Sequence, residues 1–408
     1  MDSYTLIIIG GGPSGLFCAY AAGRELKNVL LIESKPSCGR KLLMSGSGQC
    51  NITHDGEVRS FLSHYGDNGA FLKPALMSFT NQDLMNFFSE NGVELTRYPG
   101  GKVFPASRQA SDLLQVLEER CRLAGVRVIT HDPALEACKK DDAFLVKTAS
   151  GYFQSDHLVI ATGGITYPAT GSTGDGYRFA QKFGHQIAEV APALAAVLVK
   201  DYQFSDLSGI SFPDLSISLY RGEKKIRDHV GDILFTHSGL SGPGILDFSR
   251  FIRPGDQLKV SFLPGKDMGT VSRSLIDQIS AAGNRQVKTV LTSYSLPDRF
   301  IRKLLELSGI EPDLTGSHLS KKERSILAGY LTGFPFTVLR LSGPEDAMVT
   351  RGGVTLTEIN QKTLESKLVP GLYFIGEVLD IDGDTGGYNL QAAFSTAALA
   401  ARSIISKA

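Results

Sequence analysis

Apolar positions along the chain fall into two regimes. After Thr5, residues 6–9 form an unbroken apolar run that stops at three successive glycines, residues 14–22 open on Ser14 and Gly15 and continue apolar, and residues 29–32 form a second short run ended by Glu33. Short apolar runs bounded by turn formers describe strands buried on both faces, and the stretch between them describes a helix, so the opening predicts a βαβ unit. A doubly wound α/β fold begins this way. Further helices are predicted over 80–91 and 109–124. The first has Thr80 as N-cap, Asp83 in its first turn and Gly92 beyond its end, and the second is stopped by Gly125. Short strands follow at 126–130 and 143–148, and a buried strand at 158–161 runs into Thr162, Gly163 and Gly164. From about 192 to 262 the pattern alternates, as in 215–220, between Gly and Pro turns, which predicts an antiparallel sheet or small barrel. Residues 270–331 return to helical spacing, notably 298–307 and 321–331, before strand-like pieces at 336–341 and 372–375. The simplest organisation is one nucleotide-binding domain interrupted by a long insertion, part β and part helical.

Composition narrows the class. With 408 residues, 42% hydrophobic and 21% charged, the chain is an ordinary globular protein of two or three domains. Lys plus Arg equals Asp plus Glu at 42 each, so no global field draws it to nucleic acid or to an anionic membrane. The basic runs at 224–225 and 321–324 read as solvated faces. Five cysteines, Cys18, Cys38, Cys50, Cys121 and Cys138, show no paired or metal-ligand spacing and suit reduced thiols. The first apolar run is too short for a signal segment and no stretch is long enough to span a bilayer, so a cytoplasmic protein without a membrane partner is expected.

Chemistry enters with Gly10, Gly12 and Gly15, a G-x-G-x-x-G set placed directly after a strand and opening a helix. Gly10 makes the tight turn, Gly12 lets backbone approach a pyrophosphate, and Gly15 lets helix and strand pack closely. Pro13 and Ser14 begin the helix, whose unpaired N–H groups and positive dipole end suit phosphate. Glu33 ends the second strand, where it would accept hydrogen bonds from ribose hydroxyls, with Ser34 beside it. A 2′-phosphate is disfavoured there, which leaves FAD or NAD.

The far end of the chain favours FAD. Residues 371–400 read as a strand, a loop holding Gly376, Glu377, Asp380, Asp382 and Asp384, the pair Gly386–Gly387, and a helix from about Asn389 and Leu390. Such a helix would turn its N–H groups toward the flavin edge that carries negative charge when reduced, and Glu377 would bind a ribityl hydroxyl. The acids lack the twelfth-position glutamate of a calcium loop, so no metal is expected. Arg40, Lys41, Ser45, Gly46, Gly48, Cys50 and Asn51 follow the second strand, where chain passes beneath an extended flavin, and Lys41 would meet pyrophosphate or flavin. The expected FAD contacts also take in Ala134 and the turn Thr162, Gly163 and Gly164. Three side chains are candidate proton donors, each against a plainer role. Cys50 reads first as a packed thiol, His237 at least as readily as a turn-capping histidine, and Tyr167 as a loop residue.

At these residues the chain resembles the bacterial and archaeal flavoproteins described as aminoacetone oxidase-like, BaiN-like or RdsA-like (YhiN) NAD(P)/FAD-dependent oxidoreductases. The matching pieces are IIIGGGPSGL, ESKPSCGRKLLMSGSGQCNITH, ATGGITYPATGSTGDGY, LFTHSGLSGPGIL and GEVLDIDGDTGGYNLQAAFST, which extend over nearly the whole chain. The resemblance implies an α/β, Rossmann-like FAD domain made from two stretches, 1–190 and 353–408. It also implies an inserted antiparallel β-barrel at 191–262 and 334–352 and a small helical domain at 263–333. Where many members read SGGGRCN followed by Thr-Asn, this chain has Ser47, Gln49 and His54, and so lacks an arginine at Gln49. The expected activity is hydride transfer from flavin N5 to a carbon–carbon double bond conjugated to a carbonyl, with NADH or NADPH as transient reductant and a small-molecule substrate. An oxygen-using aminoacetone oxidase, or a ribosomal RNA dihydrouridine synthase with structured RNA as partner, are the alternatives, and fold alone does not choose among them.

Overall fold

In a computed structural model of the chain, the first apolar run becomes a strand over Asp2–Ile9, with parallel neighbours Val29–Ile32 and Tyr152–Ile160. Leu6, Ile7 and Ile8 have no exposed surface, because helices cover both faces of a parallel sheet and leave no side for polar alternation. The structure describes residues 2–282, 284–311 and 313–408. They divide into two compact units, Met1–Ala193 with Gly343–Ala408, and Leu194–Ser342.

In the first unit the strand order is Arg127–Ile129, Val29–Ile32, Asp2–Ile9, Tyr152–Ile160, then the antiparallel hairpin Ala143–Thr148 and Ala134–Lys140. Leu372–Phe374 pairs in parallel with Leu158–Ile160 on the same strand edge that the hairpin uses further back. Strand order reverses beside Asp2–Ile9, so the carboxyl ends of this strand and of Tyr152–Ile160 flank the crevice where doubly wound sheets bind ligands. The helix Pro13–Gly23 packs on the closing helix Tyr388–Ile405, with the Phe17 and Phe394 rings 5.4 Å apart edge to face.

The helix Asn81–Glu90 starts at the expected cap: Thr80 Oγ1 accepts from the Asp83 N–H and Asp83 accepts from the Thr80 N–H. Residues 58–78 fold into a 3-10 segment, Val58–Asn68, and a helix, Gly69–Ser78, with Pro74 inside it. Periodicity does not announce either element. A small sheet of Thr53–His54, Lys102–Pro105 and Leu95–Arg97 brackets them in sequence, with one strand before and two after. Strand Val349–Val354 pairs with Ile187–Ala193, so residues 343–352, expected with the barrel, fall in the first unit.

The second unit is a closed antiparallel barrel of Val197–Val199, Gly239–Ser241, Lys224–Phe235, Ser211–Arg221, Gln257–Ser261 and Phe334–Leu341. Closure removes exposed strand edges. Leu215, Ile217 and Leu219 alternate inward. The helix Asp298–Leu307 buries Phe300, Ile301, Leu304 and Leu305 on one face, and Phe300 stands 4.4 Å from Phe262. Barrel and helices therefore share one core rather than two. Among the described residues no helix is long and apolar enough to cross a membrane.

Candidate active site

The first glycine turn is built by steric demand. Gly10 has φ +112°, and a Cβ there would lie 2.4 Å from the Ala161 carbonyl oxygen, while one on Gly15 would lie 1.9 Å from the Gly10 oxygen. Neither position tolerates a side chain. Gly12 is different: a Cβ there would meet nothing within 4 Å. It caps the helix Pro13–Gly23 with no side-chain hydrogen bond, leaving the helix N–H groups turned to open space. That N–H-lined cradle fits a pyrophosphate. Glu33 is fixed beside it, its Oε2 accepting from Gly11 N–H at 2.7 Å and its Oε1 from Lys35 N–H at 2.7 Å and from Ser34 Oγ at 3.1 Å. The Asp132 N–H donates to the Glu33 carbonyl, which brings the chain just before Ala134 alongside.

The second stretch meets the first directly. A Cβ on Gly376, at φ +71°, would lie 2.7 Å from Ser14 Oγ, and the Ile375 N–H donates to Ile160. Thr162 lies just past the end of the central strand, and its buried hydroxyl has no hydrogen-bond partner among the described residues. Gly163, at φ +71°, turns the chain, and a Cβ on Gly164 would strike Thr350 Oγ1 at 2.2 Å.

Between the stretches lies a network that sequence reasoning did not assemble. Lys41 Nζ donates to both carboxylate oxygens of Glu377, at 2.9 and 2.8 Å, and to Thr166 Oγ1 at 2.7 Å. Glu377 Oε1 also accepts from the Thr350 N–H at 2.9 Å. Lys41 and Glu377, each expected to reach the cofactor separately, are instead paired with one another. A half-buried carboxylate and ammonium lower their desolvation penalty by meeting. Thr166 and Thr350 were not expected here; both are small hydroxyls with no motif of their own.

The loop before the closing helix is held by side chains. Asn389 Oδ1 accepts from Gly383 N–H at 2.7 Å and its Nδ2 donates to the Gly383 carbonyl at 2.8 Å. Asp384 Oδ2 is 3.0 Å from His64 Nδ1, and the His64 ring stacks on Tyr388 with centroids 4.0 Å apart. His54 stacks on Tyr388 as well, at 5.4 Å, so the tyrosine ring lies against both imidazoles. Gly387, at φ +94°, caps the helix without a side-chain bond and passes against Thr53 backbone. Leu390 is half-buried against the sheet core.

In the segment 45–51, Gly46 and Ser47 take left-handed conformations, and Ser45 Oγ donates to the Leu42 carbonyl. Gly48, at φ +86°, is likewise left-handed. Arg40 begins a short helix, Arg40–Met44, and is exposed. Asn51 Oδ1 accepts from the Val103 N–H. Cys50 is fully buried, and burial pushes its thiol up to about 12, so in this arrangement it is a packed thiol and a poor acid. Tyr167 is half-buried at φ +54°, a conformation rare for a large side chain, with its N–H donating to Pro344. His237 is exposed on a turn of the second unit. The structure therefore brings together Gly10 to Gly15, Glu33, Lys41, Gly164, Gly376 and Glu377. Of the three acid candidates, Cys50 and Tyr167 belong to the first unit and His237 to the second.

The family model for the HI0933-like protein Rossmann domain matches residues 4–403. The chain belongs to the HI0933-like family. A protein of Escherichia coli named ribosomal RNA dihydrouridine synthase is 33% identical over 99% of both chains. A 3-dehydro-bile acid delta(4,6)-reductase of Clostridium scindens is 32% identical over 97% of both. The solved 3-ketosteroid delta1-dehydrogenase of Sterolibacterium denitrificans superposes over 100% of both chains at a TM-score of 0.51 and 13% identity, a likeness of fold. This HI0933-like chain is thus a flavin-dependent oxidoreductase of an FAD-binding family, and its mixed α/β fold with a closed barrel agrees with the class expected from the sequence.

Proposed function

We propose that this HI0933-like enzyme saturates a carbon–carbon double bond conjugated to a carbonyl in a small molecule, with FAD resident in the glycine cradle and NADH or NADPH as transient reductant. One observation carries the reading: two relatives, each matched along almost its full length, are named for adding hydrogen across such a bond. A delta(4,6)-reductase of a 3-dehydro compound does so in a dienone, and dihydrouridine arises from uridine by the same saturation beside a ring carbonyl.

FAD, when bound, supplies the hydride. The protein supplies position. The uncapped helix at Gly12 would hold the pyrophosphate and Glu33 the ribose, while the helix capped by Gly387 would present its N–H groups to the flavin. The Lys41–Glu377 pair would fix the floor between them. For the proton, Tyr167 is favoured among the three candidates: it stands half-exposed on the loop after Gly164, in a conformation that costs about 1–3 kcal/mol and that the fold nonetheless keeps. His237 is the second choice.

The test is anaerobic reduction of the purified yellow protein with NADH, with NADPH and, separately, with aminoacetone, followed by single-turnover reoxidation by conjugated ketones, by oxygen, and by a uridine-containing RNA. Reoxidation by the ketone, slowed in Tyr167→Phe and unchanged in His237→Gln, is the expected result. A ribosomal RNA substrate is the second reading, supported by the Escherichia coli relative; RNA that gains dihydrouridine while ketones leave the flavin reduced would select it.

A further inference from the structure

Of the cations near the segment expected beneath the flavin, Lys41 and Arg108 are half-buried and differ in one respect. Lys41 is neutralised by Glu377. Arg108 has no carboxylate partner among the described residues. Its Nη1 donates to Gln49 Oε1 at 2.6 Å and its Nε to the Tyr98 hydroxyl at 3.0 Å. Its guanidinium lies over the Tyr98 ring at 3.9 Å and over the Phe104 ring at 4.3 Å. A guanidinium carries five N–H donors, so these two bonds leave three without a protein acceptor among the described residues. The side chain is half-buried, and the backbone holds φ +58°, an uncommon conformation for a non-glycine residue.

Gln49 completes the arrangement. Because its carbonyl oxygen faces the guanidinium, its amide N–H groups face away as further donors. The cluster is fastened to the 45–51 segment: the Phe104 ring lies 3.8 Å from where a Gly46 Cβ would stand, and the neighbouring Val103 N–H donates to Asn51. A cation oriented by two rings, with unused coplanar donors and a neighbouring amide, matches the planar oxygens of a carboxylate. An RNA backbone would call for several such cations in a row, and the neighbouring Arg97 is engaged with Asp55.

We propose that Arg108, steered by Gln49, Tyr98 and Phe104, binds a carboxylate on the molecule this enzyme reduces and so selects acidic substrates over neutral ones. That the ligand is the substrate rests on the reductase reading above; the carboxylate binding does not.

Crotonate and crotonamide, an acid and its neutral isostere with the same conjugated double bond, are the probes. Dissociation constants come from calorimetry and from perturbation of the oxidised flavin spectrum of the holoenzyme. Wild type is expected to favour crotonate by about 10-fold or more. Arg108→Ala should bring the ratio to about 1 with FAD content and Tm retained, and Arg108→Lys should keep part of it. Gln49→Glu, which gives Arg108 an internal carboxylate, should abolish the preference even if the alanine variant folds poorly. Equal binding of the two probes by wild type, or an undiminished preference in Arg108→Ala and Gln49→Glu, overturns the proposal. So does an Arg108 dependence seen only with a uridine oligonucleotide. A colourless protein that takes up no FAD would sink the reductase reading alone, since calorimetry still reports the Arg108 effect.

Discussion

The two glycine-rich stretches that meet at Ser14 and Gly376 are held in place by different physics. At Gly10 to Gly15 the shape is enforced by exclusion: backbone oxygens stand where side chains would be, and the one open position, Gly12, is the one that faces the cradle. At Gly383 to Asn389 the shape is enforced by attachment: Asn389 holds Gly383 by two hydrogen bonds, Asp384 meets His64, and Asn68 donates to Asp380 at 2.7 Å. A turn made by exclusion is rigid but intolerant of any added atom. A loop made by attachment fails when a clasp is cut, and exclusion enters it chiefly at Gly387, where a Cβ would stand 2.6 Å from the Thr53 backbone.

The contrast is sharpest in the first stretch. Gly15→Val places atoms on top of the Gly10 carbonyl and should lower stability by about 3 kcal/mol or more, giving protein with a depressed Tm and no retained FAD. Gly12→Ala adds its methyl into open space, so Tm should stay within a few degrees while FAD affinity falls about 10-fold, read by fluorescence titration of apoprotein. Equal damage from the two would break the distinction between enforced and open positions.

Cutting attachments should give intermediate effects. Glu377→Ala strands the Lys41 ammonium and removes the acceptor of Thr166 and of the Thr350 N–H, for about 2–3 kcal/mol by chemical denaturation. Asn389→Ala releases both Gly383 groups and should lose about 1–2 kcal/mol, with faster FAD dissociation as the second readout.

The smallest effect is a pH dependence away from both stretches. His185 is buried between Glu358 and Ser366, with Nδ1 3.0 Å from the carboxylate and Nε2 2.8 Å from the hydroxyl. Burial pulls its pKa below the ordinary imidazole value, with the Glu358 contact opposing. The unfolded chain therefore binds the proton more readily, and stability present above about pH 6.5 is lost as pH falls through the lowered folded value. Tm should drop on acidification from pH 7.5 to about 5.5, and His185→Gln should flatten that drop by about 1 kcal/mol or less.

What could be read from the sequence follows the same division. Exclusion is local, so Gly10, Gly12, Gly15 and Glu33 announce themselves by spacing alone, as do helices whose periodicity survives in the fold, such as Asp298–Leu307. Attachment is remote. Lys41 and Glu377 are 336 residues apart and His64 and Asp384 are 320 apart, with nothing in either local pattern to name the partner. Thr350 escaped notice because its strand pairs with Ile187–Ala193 rather than closing the barrel. Arg108 stands in a turn with no motif, and its meaning depends on the rings of Tyr98 and Phe104 around it.

The pairing of Leu372–Phe374 with Leu158–Ile160, and the cover that Tyr388–Ile405 gives to Pro13–Gly23, also set a schedule for biosynthesis. A chain emerging from the ribosome displays the strand–helix–strand unit of residues 2–32 but must wait for about 365 further residues, from Gly23 to Tyr388, before its helix face is covered, while the Leu158–Ile160 edge waits about 210, to Leu372. The barrel unit, continuous from Leu194 to Ser342, faces no such delay. Nascent protein is therefore most exposed to aggregation and to proteases in its first unit, and late translation arrest would release a barrel tethered to an unfinished sheet.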